Sequence, residues 1–354
     1  MSICRATTAL LIASAILSPL AAQDSARVIA LPPVELHGFV EVHYRTGDPT
    51  TKDGFRLRKA DFKFTGELSP HTRWRLGFDA AKVLTITKTV ATKTDSLALS
   101  DAAIDQKSRI LQDAAITYTF NQDLNVDVGQ QILPLGLEGG IPLSQIETIE
   151  RSNISAERSR AVGLGDVRDI GASINGRATS QLEYHVGVFN ETGDDQGTTD
   201  ANDQKAVVGR LVVHPSLLPN IQVGGTGAYE GGSVTQHRER GGADIQYRDN
   251  WLTLRTEAMS ARDGLLHRFG WYGLGAVRPT TRLQLAARYD SWDRDRTHES
   301  SGNDAFERQI VVGGSYLVDG ASTKFALNVI RQTFPNISSV RPSTFLLAAF
   351  SGVW

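Results

Sequence analysis

Alternation of apolar and polar residues with a period of two constrains this chain more than any other feature. In residues 34–44 one face is apolar and the other is polar or charged, with Leu36, Val40, Val42 and Tyr44 on the first face and Glu35, His37, Glu41 and His43 on the second. The pattern recurs at 74–80, 114–120, 182–188, 252–254 and 283–289. Such alternation predicts β-strands with one face in apolar surroundings. Counting every such segment gives about sixteen strands, so the chain is predicted to be all-β.

The connections between the predicted strands alternate in length. The short ones are 69–73, 121–123, 177–181, 214–220, 248–250, 278–282 and 318–322, and the long ones include 82–109, 133–168, 190–205, 291–306 and 331–343. Two further connections, 47–54 and 231–237, are shorter but polar. Tight periplasmic turns and long external loops give this asymmetry in membrane barrels, whereas a sandwich or propeller has no reason to produce it. The sequence therefore predicts a transmembrane antiparallel β-barrel of about 16 strands, with short periplasmic turns and long external loops.

The N-terminus has the features of an export signal. Arg5 precedes an apolar stretch over residues 9–20, and small residues follow at Ala21 and Ala22. This stretch is too short to span a bilayer as a helix and is typical of a secretory signal peptide. We expect a signal peptide at 1–22, a periplasmic lead-in at 23–33 and a barrel pore domain at 34–354, in the bacterial outer membrane.

Composition excludes several other classes of protein. A mean hydropathy of -0.22 is too polar for a helical membrane protein. The formal net charge of -2 argues against a nucleic-acid partner. The only cysteine, Cys4, lies in the predicted signal, and the histidines form no close pair beyond His37 and His43. We therefore expect no metal, no cofactor and no disulfide.

One polar loop contains residue types found in hydrolases. The segment 298–303 has a histidine, two serines and an asparagine, and Asp293 and Asp295 lie close before it. A catalytic arrangement needs a base that a third group fixes within reach of the nucleophile, and a loop rich in Ser and Asp supplies these types by composition alone. We expect no enzyme activity.

The C-terminus alternates to its last residue. Its apolar face ends in an aromatic side chain and comprises Leu346, Ala348, Phe350, Gly352 and Trp354. This ending is typical of the closing strand that the barrel insertion machinery reads, so Phe350 and Trp354 are predicted to be an assembly signal. The alternative is an ordinary terminal strand.

Charged residues within the strands are predicted to face the lumen, because a charge in hydrocarbon costs about 2–4 kcal/mol at the midplane. This rule predicts a pore lined by Lys63, Arg75, Asp79, Arg210, Arg255, Glu257, Arg288 and Asp290. Both signs occur, which suggests a transverse field, and the alternative is that these charges pair with one another. Arg56 and Arg58 break the parity of their strand, so either a bulge lies near Lys59 or the two arginines lie at the external rim.

Four segments together resemble the phosphate-selective porin O and P family. They are 54–66 (GFRLRKADFKFTG), 132–138 with 149–151, 184–190 (YHVGVFN) and 285–290 (LAARYD). The resemblance implies a sixteen-stranded trimeric porin whose third loop folds inward. The best-known members line their pores with a dense series of basic residues, whereas this chain is slightly acidic overall.

The third loop, 133–168, is the longest connection and is expected to set the width of the pore. Gly136, Gly139 and Gly140 permit sharp turns, and apolar Ile141, Leu143 and Ile146 are expected to pack on the inner wall. Charged residues are expected to face the solute, namely Glu138, Glu147, Glu150, Arg151, Arg158 and Arg160. The alternative is an external loop that packs on a neighbouring subunit. Short helices are expected at 100–111 and 147–160.

Three function classes remain open at this point. The first is a porin for passive diffusion of small hydrophilic solutes or ions. The second is an anion- or phosphate-selective channel, and the third is a surface receptor barrel with a blocked pore. Outer-membrane lipid, the insertion machinery and two further copies of the chain are the expected partners.

Overall fold

The structure is a computed structural model that describes residues 33–47, 52–82, 86–93, 96–104, 110–155, 164–190, 204–232, 237–297, 306–319, 322–336 and 340–354. For 86–93 and 96–104 only the backbone is described. The predicted signal peptide, and all of the predicted lead-in except residue 33, lie outside these ranges.

The described residues form eighteen strands. They are β1 (Glu35–Thr46), β2 (Gly54–Ser69), β3 (Thr72–Asp79), β4 (Ile86–Lys93), β5 (Ser96–Ile104), β6 (Leu111–Asn121), β7 (Leu124–Ile132), β8 (Arg168–Thr179), β9 (Leu182–Phe189), β10 (Ala206–Val213), β11 (Ile221–Glu230), β12 (Arg238–Arg248), β13 (Leu252–Asp263), β14 (Leu266–Val277), β15 (Leu283–Asp293), β16 (Phe306–Leu317), β17 (Thr323–Thr333) and β18 (Ser343–Val353). Sixteen of them form one closed antiparallel barrel, in which β1 pairs with β18 and β3 pairs with β6. β4 and β5 pair only with each other, as a two-stranded sheet. The prediction of a sixteen-stranded barrel is confirmed.

The outer face of the barrel is apolar along its length and carries aromatic residues towards both ends. At the end with the long loops, Tyr44 and Phe55 have ring centroids 4.8 Å apart, and Trp271 and Tyr289 are 5.3 Å apart. At the end with the short turns, the ring centroids of Phe325 and Phe350 are 4.5 Å apart. Such belts lie at the two membrane interfaces of outer-membrane barrels.

The alternation of connection lengths fails in two places. The connection 231–237 is no longer than the turn 214–220 before it. Between β13 and β14, on the side of the long loops, the connection is the two residues Gly264 and Leu265. Gly264 has φ 61°, a conformation that glycine adopts without strain. The length pattern of the sequence does not reveal this turn.

A bulge resolves the irregular parity of β2. Glu41 pairs with Lys59 and the next residue of β1, Val42, pairs with Leu57, so β2 has one extra residue at this point. Beyond the bulge Arg56 lies opposite His43, on the luminal face. The extra residue thus lets the apolar face of β2 stay outside on both sides of the bulge.

Neither expected helix is present in the described residues of 100–111 and 147–160. Residues 96–104 are a strand, and Glu147–Ser155 contains no helix. In its described residues the loop after β7 has two short 3-10 turns, at Glu138–Gly140 and Leu143–Gln145. In the described part of the chain no helix is long and apolar enough to cross a membrane.

Candidate pore and constriction

The connection 133–167 between β7 and β8, here called the constriction loop, lies against the inner face of the barrel. Backbone N–H groups along it donate to side chains of three different strands. The N–H of Leu137 donates to Glu257 on β13 (2.8 Å), that of Asn153 to Asp290 on β15 (3.1 Å) and that of Ile149 to Asn328 on β17 (2.8 Å). From Leu137 to Asn153 the loop therefore follows the wall across several strands.

Apolar side chains of the constriction loop pack in three places on the wall. Leu143 and Ile146 form a buried cluster with Phe39 of β1. Ile149 packs with the inner faces of β16, β17 and β18, which explains why β18 is apolar on both faces. Ile154 and Leu164 join the largest cluster, which contains Trp292. The expected packing of Leu143 and Ile146 is present, and Ile141 is partly buried beside them.

A sharp turn at Gly136 begins the inward course of the loop. Gly136 has φ 74°, and a Cβ at this position would lie 2.1 Å from Oε1 of Glu257. The Glu257 carboxylate accepts the N–H groups of both Leu137 and Glu138, at 2.8 and 3.1 Å. Only glycine fits this close approach, so Gly136 and Glu257 together fix the start of the loop.

Three loop charges expected to face the solute are instead buried against the wall or within the loop. Glu138 accepts the N–H of Ser152 (2.8 Å), and Glu147 pairs with Arg248 (2.6 Å) and Arg255 (3.2 Å). Arg151 lies 3.4 Å from Asp166 and donates to the carbonyl of Ile141 (2.6 Å). The expectation for these three residues is wrong. Glu147 is satisfied by arginines of the wall, whereas Glu138 and Arg151 are satisfied by groups of the loop itself. Glu150 is half-buried, and Arg158 and Arg160 lie outside the described residues.

Asp166 holds the far end of the constriction loop. Burial raises the pKa of this carboxyl, but the adjacent guanidinium groups of Arg151 and Arg168 outweigh burial and lower the pKa to about 2. Its φ of 52° is the one positive value at a non-glycine position in the described residues. The ion pair with Arg168 (3.1 Å) joins the loop to the first residue of β8.

Four of the predicted pore-lining residues lie under the constriction loop. Arg255, Glu257, Arg288 and Asp290 point inward and are at most 3% exposed. Arg288 donates to Thr148 (2.7 Å), to the carbonyls of Glu150 (2.6 Å) and Arg151 (3.0 Å), and to Asp290 (2.8 Å). These side chains contact the loop and are shielded from the lumen.

The other four lie on the half of the wall that the loop leaves uncovered or at its edge. Arg75 pairs with Asp127 (2.9 Å), and Arg210 makes two bonds to Asp244 (2.6 and 2.9 Å). Asp79 is buried and accepts the N–H of Ala60 (3.1 Å), whereas Lys63 is exposed. Lys63 lies opposite His37 in the β1–β2 register, so it faces the lumen.

A cavity of about 380 Å³ separates the start of the constriction loop from the uncovered wall. Loop residues including Pro134, Leu137 and Ile141 line one side, and the mostly polar wall lines the other with Glu183, His185, Arg210, Val212 and Gln222. Glu183 accepts from Arg177 (2.8 Å), and His185 is 3.1 Å from the Ser173 hydroxyl. The passage through this part of the lumen therefore runs between an apolar loop edge and a polar wall.

Glu183, His185 and Gln222 are lining residues that parity reasoning passed over. The β9–β10 register places His185 directly opposite Arg210, so the rule that put Arg210 in the lumen applies equally to His185. Glu183 and Gln222 have the same parity within β9 and β11. The strand pattern alone therefore predicts all three in the lumen, and for Glu183 the rule for charged strand residues applies directly.

The predicted assembly residues lie at the turn end of the barrel. Trp354 exchanges backbone hydrogen bonds with Gly38 (2.9 and 3.1 Å), which joins the last residue to the first strand. Its ring lies over Gly38 and 6.1 Å from that of Phe62. Phe350 faces outward and is 46% exposed. Both aromatic side chains are thus on the outer surface.

Within the described ranges no group of three or more His, Asp or Glu side chains has a geometry suited to a metal ion. His43 is buried and bonds to Glu41 (2.8 Å), and His37 lies 3.6 Å from Glu35. Segment 298–303, with the hydrolase residue types, lies outside the described residues.

Comparison with protein families decides the identity of this barrel. The family model "phosphate-selective porin O and P" matches residues 35–244, which is more than half of the chain. The chain belongs to this family. As a porin it is an outer-membrane channel for diffusion of solutes. No curated protein sequence matches it.

Solved structures of porins share the fold of this O and P family member at low sequence identity. OmpF of Salmonella typhi, in complex with daunomycin, aligns with a TM-score of 0.61 at 11% identity and covers 91% of this chain and 98% of its own. An anion-selective porin from Comamonas acidovorans aligns at 0.59 and 10%, covering 91% and 99%. The trimer form of OmpT from Vibrio cholerae aligns at 0.58 and 10%, covering 92% and 100%.

Proposed function

We propose that this porin is a passive diffusion channel of weak ion selectivity whose width the constriction loop sets. The observation that carries the proposal is charge compensation. Arg75, Arg210, Arg255 and Arg288 each have a carboxylate oxygen within 3.2 Å. Paired charges of opposite sign largely cancel beyond a few ångströms and give little bias to ion entry.

The predicted site residues divide into two roles in this proposal. Lys63, Arg75, Asp79 and Arg210 belong to the wall beside the passage, where Lys63 is in contact with water. Arg255, Glu257, Arg288 and Asp290 position the constriction loop, because each bonds to loop atoms or to a partner that does. A field across the pore is weaker in this arrangement than it would be with open loop carboxylates.

A second candidate is an anion-selective channel. The exposed luminal Lys63 favours it, as does the basic rim residue Arg56, which lies opposite His43 and is also exposed. The similar barrel from Comamonas acidovorans is described as anion-selective. Two exposed cations are few beside the four paired arginines, so weak selectivity is the better-supported function.

Assembly and export complete the proposal. The similarity to a porin that has a trimer form supports a homotrimer. Export through a cleaved signal at 1–22, insertion guided by Phe350 and Trp354, and contact of the aromatic belts with outer-membrane lipid follow from the sequence. The chain is proposed to need no cofactor and to carry out no catalysis.

Reversal potential in planar bilayers tests the proposal. Under a tenfold KCl gradient, the purified channel is expected to reverse close to zero. A reversal near the chloride equilibrium potential would instead favour the anion-selective candidate. Absence of single-channel steps would contradict both and favour a receptor barrel with a blocked pore.

A further inference from the structure

The part of the constriction loop that lines the cavity has no charged side chain among its described residues. Its half-buried residues at the cavity are Leu137 and Ile141, with Gly140 between them and exposed Pro142 following. The loop carboxylates of Glu138 and Glu147 are 0% and 2% exposed and bond away from the cavity. The loop thus presents an apolar edge to the solute.

The facing wall offers hydrogen-bonding groups whose charges are already compensated. Arg210 is held by Asp244 through two bonds, and the Glu183 carboxylate lies 2.8 Å from Arg177 and 3.4 Å from His214. His185 and Gln222 add groups that both donate and accept. A solute therefore meets polar partners on one side without a strong net field.

We propose that this cavity is a binding subsite for neutral solutes that have one apolar face and one hydroxyl-bearing face, such as an aryl glycoside. The inference rests on the proposed pore function and names the solute class that its constriction favours. The volume of about 380 Å³ is within the range of about 300–1,000 Å³ usual for sites of small organic ligands. The apolar face of the solute covers Leu137 and Ile141, and its hydroxyl groups replace water on the wall.

Burial of apolar surface decides the preference. Moving an aromatic ring from water onto an apolar edge lowers the free energy of binding by an amount that increases with the apolar surface buried. A ring that covers one edge only gains part of this amount, and about 1.4 kcal/mol corresponds to a tenfold change in affinity. A fully ionised solute of the same size has no such advantage, because the compensated wall charges leave no opposite charge free to replace its hydration shell.

Block of ion current by added solute measures the binding. For the wild-type channel in a planar bilayer, phenyl β-glucoside is expected to interrupt the current with a dissociation constant about tenfold lower than that of methyl β-glucoside. Phenyl phosphate, which has the same ring and a charged group, is expected to bind more weakly than the phenyl glucoside.

Two substitutions on the apolar edge test the residues, with a control elsewhere. Leu137→Gln and Ile141→Asn are each expected to reduce the preference for the phenyl over the methyl glucoside to about twofold, because the ring then covers a polar edge. Leu265→Gln, in the exposed turn between β13 and β14, removes a leucine outside the pore and is expected to leave the preference unchanged. Resistance to SDS before heating verifies that each variant is folded.

The outcomes separate this inference from the pore function itself. A conducting wild-type channel that binds both glucosides equally would overturn the subsite, and so would an unchanged preference in both edge variants. Tighter binding of phenyl phosphate would replace it with an anion site. A channel without conductance steps would fail at the level of the proposed function.

Discussion

At the scale of single residues, the structure uses charges to hold the constriction loop in place. Parity placed Arg255, Glu257, Arg288 and Asp290 on the inner face, and each of them does point inward. The alternation within a strand does not show where the constriction loop lies. In the structure this loop covers these four residues and forms hydrogen bonds with their polar groups. Exposure of an inward residue depends on contacts distant in sequence, so strand pattern alone cannot predict it.

Gly136 provides the sharpest test of the loop anchor. Gly136→Ala places a Cβ 2.1 Å from Glu257 and forces a strained positive φ, so the two N–H bonds to that carboxylate are expected to break. The expected loss is about 2–4 kcal/mol of stability, from strain and the unpaired polar groups. Gly140→Ala is the matched control, since a Cβ there meets no atom within 4 Å.

Single-channel recording measures the loss of the loop's position, and unfolding in urea measures the loss of stability. The Gly136→Ala channel should show larger or noisier steps and a lower urea midpoint than the Gly140→Ala channel. Identical behaviour of the two variants would mean that the turn at Gly136 does not hold the loop.

Asp166 gives the loop a predicted dependence on pH. Its folded pKa of about 2 lies below the unfolded value of about 3.8, so its contribution to stability is present above pH 4 and is lost as the pH falls towards 2. The difference corresponds to about 2 kcal/mol. Asp166→Asn should therefore lower stability at pH 7 and reduce the decline between pH 4 and pH 2.

Urea unfolding of the folded barrel at pH 2, 4 and 7 checks this dependence. Asp319→Asn, an exposed carboxylate in the turn between β16 and β17, controls for the loss of one charge. If the urea midpoints of wild type and Asp166→Asn changed with pH in the same way, the lowered pKa of Asp166 would be contradicted.

At the scale of elements, strand number and facing were predictable because the membrane imposes a period of two on every strand. The irregular features were less accessible. The bulge in β2 was one of two alternatives, and the two-residue turn at Gly264 was missed. Residues 100–104, within the helix expected at 100–111, belong to strand β5. Bulges and hairpins depend on pairing with a neighbour, and a single sequence does not show that pairing.

The closing strand carries a prediction about assembly. Trp354 pairs with Gly38 through its backbone and covers it with its ring. We propose that this residue serves both barrel closure and recognition by the insertion machinery. Deleting Trp354 should lower the amount of folded barrel in the outer membrane. Trp251→Ala removes an equally exposed tryptophan from the turn between β12 and β13 and should have little effect.

Folding yields in lipid vesicles and in cells separate the contribution of Trp354 to barrel closure from its contribution to recognition by the insertion machinery. If recognition dominates, the truncated chain folds normally into lipid vesicles but poorly in cells. If closure dominates, both yields fall. Normal yields in both settings would remove Trp354 from the account.

At the scale of the whole molecule, the constriction loop partly fills the lumen of the barrel. The aromatic belts and apolar outer face fit a bilayer, and the paired charges inside leave a passage between the apolar edge of the loop and the polar wall. The sequence predicted that the loop folds inward. It did not predict that Glu147 turns to the wall, because its partners Arg248 and Arg255 lie about a hundred residues away in the sequence. Glu138 and Arg151 instead bond within the loop, to Ser152 and Asp166.

Single-channel conductance after removal of the constriction loop tests whether this loop sets the width of the pore. Residues 140–160 are replaced by a short glycine bridge, and a deletion of 192–201, between β9 and β10, serves as the control. The loop-deleted variant should remain resistant to SDS before heating, which shows that it is folded. We expect its conductance to be about twofold or more above that of wild type, because the wall that the loop covered becomes part of the lumen. The control should conduct like wild type. A folded loop-deleted variant with wild-type conductance would contradict the role of the constriction loop and place the narrowest part of the pore elsewhere.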